Sequence, residues 1–92
     1  MKEKVKVKQM MSNAGNYIAN QFKLYTNKGV YFQSYDSIIA LRDNKGQIYL
    51  DEYYWDYSRT TGKYRNIFLG DDGITETRQK IKDGKYKLKN LN

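Results

Sequence analysis

The chain has neither cysteine nor histidine. Without cysteine, neither a disulfide framework nor a thiolate zinc site can support the fold, and a reducing cytoplasm is the natural compartment. Without histidine, the commonest general base, the commonest metal ligand and every Ser/His or Cys/His nucleophile pair are lost. Proline is also absent. No apolar run approaches the roughly 20 residues that span a bilayer, and Met1 to Met11 lacks the apolar stretch of a secretory signal. These absences point to a soluble, cytoplasmic protein that binds rather than catalyses and uses no cofactor or metal.

What is present is aromatic and basic. Ninety-two residues make one small domain, with ten tyrosines, 15% aromatic residues and a net charge of +7. That composition suits strands better than a disordered tail. Residues 1 to 23 carry +4, residues 24 to 77 carry −2 and residues 78 to 92 carry +5. If the termini meet they form one basic face for a polyanion or an acidic protein; if they do not, each is a solubilising tail.

Residues 1–11 read as a basic N-terminal extension and 12–92 as a single β-rich domain. In the extension, Val5 and Val7 alternate with lysines, as in a charged edge strand or a frayed arm. Met10 and Met11 directly precede Ser12 and offer a second translation start. Three glycine triplets follow: Asn27-Lys28-Gly29, Asn44-Lys45-Gly46 and Thr60-Thr61-Gly62. Their spacings of 17 and 16 residues fit two strands plus a tight turn with glycine in the left-handed region. Between them, Phe22 and Leu24 oppose Lys23 and Tyr25, Val30 goes with Phe32, Ile39 with Leu41 and Ile48 with Leu50.

Farther along, Thr75 to Lys82, with Ile74 and Ile81 seven apart, Glu76 early and lysines late, predicts a helix stopped by Asp83-Gly84. Tyr86 and Leu88, alternating with Lys85, Lys87 and Lys89, predict a last strand. The expected fold is α+β: a mostly antiparallel meander of about five to six strands with one short C-terminal helix.

The segment Tyr53 to Arg65, YYWDYSRTTGKYR, concentrates five aromatic rings and three cations. Read as a hairpin, it gives Tyr54 to a base or a partner's pocket, while Ser58, Arg59, Thr60, Thr61, Lys63 and Arg65 meet phosphates or acidic side chains. Lys85 and Lys87 extend that basic surface. The plain structural reading puts Trp55, with Tyr53 and Tyr57, in the core, pairs Asp56 with Arg65 across the strands and leaves the turn to reverse the chain.

Other chemistry fits less well. Gly62-Lys63 lacks the glycine spacing, the following hydroxyl residue and the helix start of a phosphate-binding loop. Asp51, Glu52 and Asp56 could hold Mg²⁺ in a nuclease, but consecutive strand positions point to opposite faces. Tyrosine nucleophiles need surrounding arginines, histidines or a metal cluster that this small domain does not supply. Asn13, Asn16, Asn20 and Gln21 near Tyr17 suit base-edge readout or, more commonly, turns and caps.

The segments NAGNYIANQF, YFQSYDSIIA, YYWDYSRTTGKYRNIFLG and TRQKIKDGKYKL resemble a family of small uncharacterised proteins of phages and mobile elements of low-GC Gram-positive bacteria. The resemblance covers residues 12 to 92. It implies a non-enzymatic accessory protein of the bacterial cytoplasm and transfers no catalytic residues. The expected partner is a host protein or ribonucleoprotein complex, with inhibition of a CRISPR nuclease or another defence system as the leading example. A basic chain cannot imitate duplex DNA overall, so it would grip nucleic acid, cover an acidic patch or contact a guide RNA through phosphates; only the acidic middle leaves room for local mimicry. The alternative is a stand-alone nucleic-acid-binding protein using outward tyrosines and lysines. An exposed edge strand would also permit a homodimer.

Overall fold

A computed structural model describes residues 5–12 and 14–92. Six strands and two helices follow in the order β1 (Lys6–Met11), β2 (Tyr17–Thr26), β3 (Gly29–Ser34), β4 (Ser37–Asp43), β5 (Ile48–Asp51), α1 (Arg59–Leu69), α2 (Ile74–Lys82) and β6 (Tyr86–Lys89). The strands lie in sequence order in one sheet. The first five form an antiparallel meander, and β6 joins β5 in parallel because α1 and α2 carry the chain back across the sheet. The fold is α+β, as the alternation predicts, but with a second helix where a hairpin is expected.

Two of the three glycine triplets are hairpin turns. Gly46 has φ 87°. At Gly29, φ is 132°, and an added Cβ would lie 2.2 Å from the Arg42 carbonyl oxygen, so the close strand approach admits no side chain there. The predicted C-terminal helix runs from Ile74 to Lys82 with Glu76 in its first turn and Lys80 and Lys82 in its last, ending at Asp83 and Gly84.

Side chains at paired positions share a face of the sheet. On the helix-bearing face Phe32, Ala40, Ile48, Leu50 and Tyr86 build the core with Met10 and Phe68. Phe32 stacks on Phe68 of α1, ring centroids 5.8 Å apart. Phe22 and Leu24 lie opposite Lys23 and Tyr25, and Val30 lies with Phe32, as the alternation predicts. The expected pairing of Ile39 with Leu41 does not occur. A bulge shifts the β3–β4 register after Phe32, so Ile39 joins Ala40 in the core and Leu41 turns to the other face.

The sheet order separates the two basic ends. Strands β1 and β6 are its opposite edges, five strand spacings or about 24 Å apart, so among the described residues the lysines of β1 and those of β6 do not combine into one basic face, although Val5 and Leu91 line one hollow. Residues Lys6–Met11, assigned to an extension on composition, form β1. Lys2 and Lys4 lie outside the described residues.

A buried polar network ties α2 to β6. The Asp71 carboxylate accepts hydrogen bonds from Lys80 Nζ (2.7 Å), Thr77 Oγ1 (2.8 Å) and Tyr86 Oη (2.9 Å). Burial favours the protonated acid, but these donors outweigh it and hold Asp71 below its ordinary pKa. Lys80 is correspondingly raised, chiefly by its bond to Asp71 and then by Glu76.

Candidate functional site

The segment Tyr53–Arg65 is not a hairpin. After β5 the chain makes a turn held by Asp51, whose carboxylate accepts from the backbone amides of Tyr53 (3.0 Å), Tyr54 (2.8 Å) and Leu91 (2.8 Å). Burial alone would raise the Asp51 pKa; the bonds from Leu91 and Tyr54 lead the contributions that lower it instead. Ser58 then caps α1, its hydroxyl accepting from the Thr61 amide at 3.1 Å. Serine followed by two threonines is therefore a helix start, and Gly62 lies inside the helix.

The residues picked from this segment divide between inside and outside. Thr61 is buried, its hydroxyl bonded to Ser34 at 2.8 Å. Arg65 is 1% exposed. Its guanidinium donates to the Trp55 carbonyl (2.8 Å) and to Asn66 Oδ1 (3.1 Å), and lies over the Trp55 ring. Burial lowers the Arg65 pKa, opposed by the charges of Asp56 and Asp71. Both side chains are committed internally because α1 turns this face onto the sheet.

The inward aromatic set is also revised. Tyr53 and Tyr57 are 79% and 62% exposed, whereas half-buried Tyr54 and Trp55 pack against the core. Tyr54 lies edge-on to both Tyr53 and Tyr57. Asp56 and Arg65 do approach, at 3.9 Å, though across a turn and a helix rather than between strands. Arg59, Thr60 and Lys63 are exposed. A hollow of about 800 Å³ between the helices brings Ser58, Arg59 and Lys63 together with Asp56 and Asp72, so its charges are of mixed sign.

The opposite side of the sheet carries no helix. There Val7, Leu24, Tyr31, Leu41, Tyr49 and Lys87 form one paired row across all six strands. Phe22, Gln33 and Ile38 lie in the adjoining row. None of these apolar side chains belongs to the helix-side core. An antiparallel sheet with one solvated face ordinarily turns polar residues outward; here the row is apolar, with Val7 exposed, Leu24, Tyr31 and Tyr49 half-buried and Leu41 buried at 7% exposure, and Asn92 bonds the Ile38 backbone in the adjoining row.

The margin of this face is cationic. Lys87 and Lys89 stand beside Tyr49, with Lys89 Nζ 5.5 Å from its ring centroid. Lys28 lines a hollow with Leu24, Tyr31, Ile38 and Leu91. Two nearby carboxylates are engaged: Asp51 holds three amides, and Asp43 accepts from the amides of Lys45 and Gln47, each at 2.9 Å. Of the two C-terminal lysines picked from the sequence, Lys87 thus belongs to this face, while Lys85 precedes β6 and is exposed.

Among the acids weighed for Mg²⁺, Asp51 is consumed by amides and Asp56 pairs with Arg78 at 3.3 Å. Gln21, weighed for base reading, is fully buried; Asn13 lies outside the described residues. The residues missed from sequence are Tyr31, Leu41 and Tyr49. Their signal was apolar character at both parities of β3, β4 and β5, which marks a strand with neither face given over to water.

The chain is an α+β protein with helices on one face of its sheet and an apolar, cation-edged row on the other. Residues 5–84 match a family of unknown function (DUF8033), and the chain belongs to that family. No curated protein and no solved structure matches the chain.

Proposed function

We propose that this protein is a non-enzymatic accessory protein that attaches to a host nucleic-acid machine and modulates it by stoichiometric contact, in the bacterial cytoplasm. A CRISPR nuclease is one such machine. The helix-free sheet face makes the contact. What supports the reading is the apolar row from Val7 to Tyr49, ending on Lys87 and continuous across six strands. A continuous apolar row whose Val7 is exposed and whose Leu24, Tyr31 and Tyr49 stay half-accessible supports an interaction surface on so small a protein. Its lysine margin, where Asp51 and Asp43 are engaged by backbone amides, favours a partner surface that is acidic or carries phosphate groups. The likeness to phage and mobile-element proteins directs the reading toward a host complex.

The test is capture from a Gram-positive host extract, with and without nuclease treatment, comparing the native chain with Tyr31→Asp/Tyr49→Asp. The native chain should retain a nucleic-acid-processing protein after nuclease treatment, and the variant should lose it. Equal retention by both, or loss of everything captured once nuclease is added, rejects the reading.

A further inference from the structure

The helix cover reaches Met10 of β1 and Gln21 of β2 and stops short of Lys6, Lys8 and Tyr25, which are exposed. Along one paired row of the helix-bearing face, Leu50, Ala40 and Phe32 are buried in the core, and the next two positions are Lys23 and Lys8. These lysines stand directly opposite each other. Lys6 lies two residues from Lys8 on the same face, opposite Tyr25. Among the described residues, no ion pair involves any of the three.

Like charges directly opposed across a strand pair destabilise a sheet. Lysines on an edge strand have an ordinary explanation, since they discourage edge-to-edge pairing. That accounts for Lys6 and Lys8 on β1 but not for Lys23, which is on the interior strand β2. A cost kept at that position implies a counter-charge brought from outside.

An aromatic ring marks the centre of the patch. Tyr25 is 37% exposed, and Lys8 Nζ lies 5.6 Å from its ring centroid. The ring borders two hollows. One, of about 300 Å³, is lined by Lys8, Lys23, Met10 and Ile67; the other, of about 660 Å³, by Val5, Lys6 and Thr26. Cations beside a ring with apolar space around it suit a strand whose phosphates meet the lysines while an unpaired base stacks on the aromatic face. The step from Lys6 to Lys8 is about 6.8 Å along the strand, comparable to the step between successive phosphates of an extended chain.

We infer that Lys6, Lys8, Lys23 and Tyr25 form a binding site for single-stranded nucleic acid, on the opposite side of the sheet from the proposed protein-docking face and independent of it.

The test is fluorescence anisotropy with a labelled, mixed-sequence single-stranded oligonucleotide across a salt series. Lys8→Glu/Lys23→Glu should weaken binding at least tenfold at about 50 mM salt. Lys45→Glu/Lys82→Glu, the same charge change elsewhere, should weaken it much less. Lys8→Gln/Lys23→Gln should reduce the slope of log affinity against log salt by about 1.4, for two lost phosphate contacts. The melting temperature of that variant should be unchanged or raised, since a repulsion is removed, which separates binding loss from unfolding. Tyr25→Ala should weaken binding to the single strand several-fold more than to a duplex, whose bases are already stacked.

No anisotropy change with the native chain at low salt overturns the inference, as does native-like binding by Lys8→Gln/Lys23→Gln. Binding confined to phosphatidylserine vesicles also overturns it and reassigns the patch to membranes. The docking reading is checked separately through Tyr31 and Tyr49, so the two can fail independently.

Discussion

Two regions of this protein are rich in aromatic side chains and cations, and they arrange them differently. In Tyr53–Arg65 the conspicuous chemistry divides: Tyr53, Tyr57, Arg59, Thr60 and Lys63 are exposed, while Thr61 and Arg65 turn inward. Ser58 caps α1, Thr61 bonds to Ser34, and Arg65 lies beneath Trp55. On the helix-free face, half-buried Tyr31 and Tyr49 flank Leu41, which is 7% exposed, and Asn92 bonds the backbone of Ile38 in the adjoining row. The first region mixes exposed and buried side chains within a few residues, and the second is a continuous, mostly half-buried apolar row. Density of functional-looking residues does not measure availability: a helix start uses hydroxyls for capping, and a buried guanidinium uses its donors on carbonyls.

Mutation can break that contrast, and the largest effect should come from Arg65. Arg65→Ala removes a buried side chain and leaves the Trp55 carbonyl unpaired, so stability in urea should fall by about 3 kcal/mol. A loss below about 0.5 kcal/mol would put Arg65 in the surface class and collapse the distinction. Next in size is Asp71→Asn, expected to cost about 2 kcal/mol at neutral pH through its charged hydrogen bonds.

The pH dependence has a definite sign. Asp51 and Asp71 are both held below the ordinary value of 3.8 in the folded state. Their contribution is present above that value and is lost as pH falls through the lower folded-state pKa values. Acid titration of stability should therefore show a drop below about pH 4, and the gap between native and Asp71→Asn should narrow there. A gap that stays constant with pH would mean Asp71 acts through packing alone.

Smaller changes sharpen the comparison. Ser58→Ala should cost about 1 kcal/mol, the usual value of a helix cap; thermal melts resolve this. Arg59→Ala and Lys63→Ala, whose side chains are exposed on α1, should stay within about 0.5 kcal/mol of native. If either destabilised the fold as much as Ser58→Ala, the outer side of α1 would also belong to the architecture.

Much of the fold was legible because periodicity reports it directly. The alternation around Phe22, Leu24, Val30 and Phe32 placed strands, and Ile74 to Lys82 carried its helix signals in charge order and in the Asp83-Gly84 stop. Tyr53–Arg65 misled because rings at Tyr53, Trp55 and Tyr57 mimic strand alternation, while the Ser58 cap is only two atoms of local chemistry. Of the residues singled out there, Arg59, Thr60 and Lys63 remain exposed, while Thr61 and Arg65 do not.

The sequence by itself determined a small, basic, strand-rich chain, the two hairpins that turn at Gly29 and Gly46 and the C-terminal helix, since turns, alternation and capping are local. Tertiary structure decided which rings face water, that β6 returns parallel to β5, that the basic ends lie at opposite edges and that Lys8 faces Lys23. The physical reason is that pairing partners and helix cover join residues far apart in the chain, and burial is a property of what lands on a side chain rather than of the side chain itself.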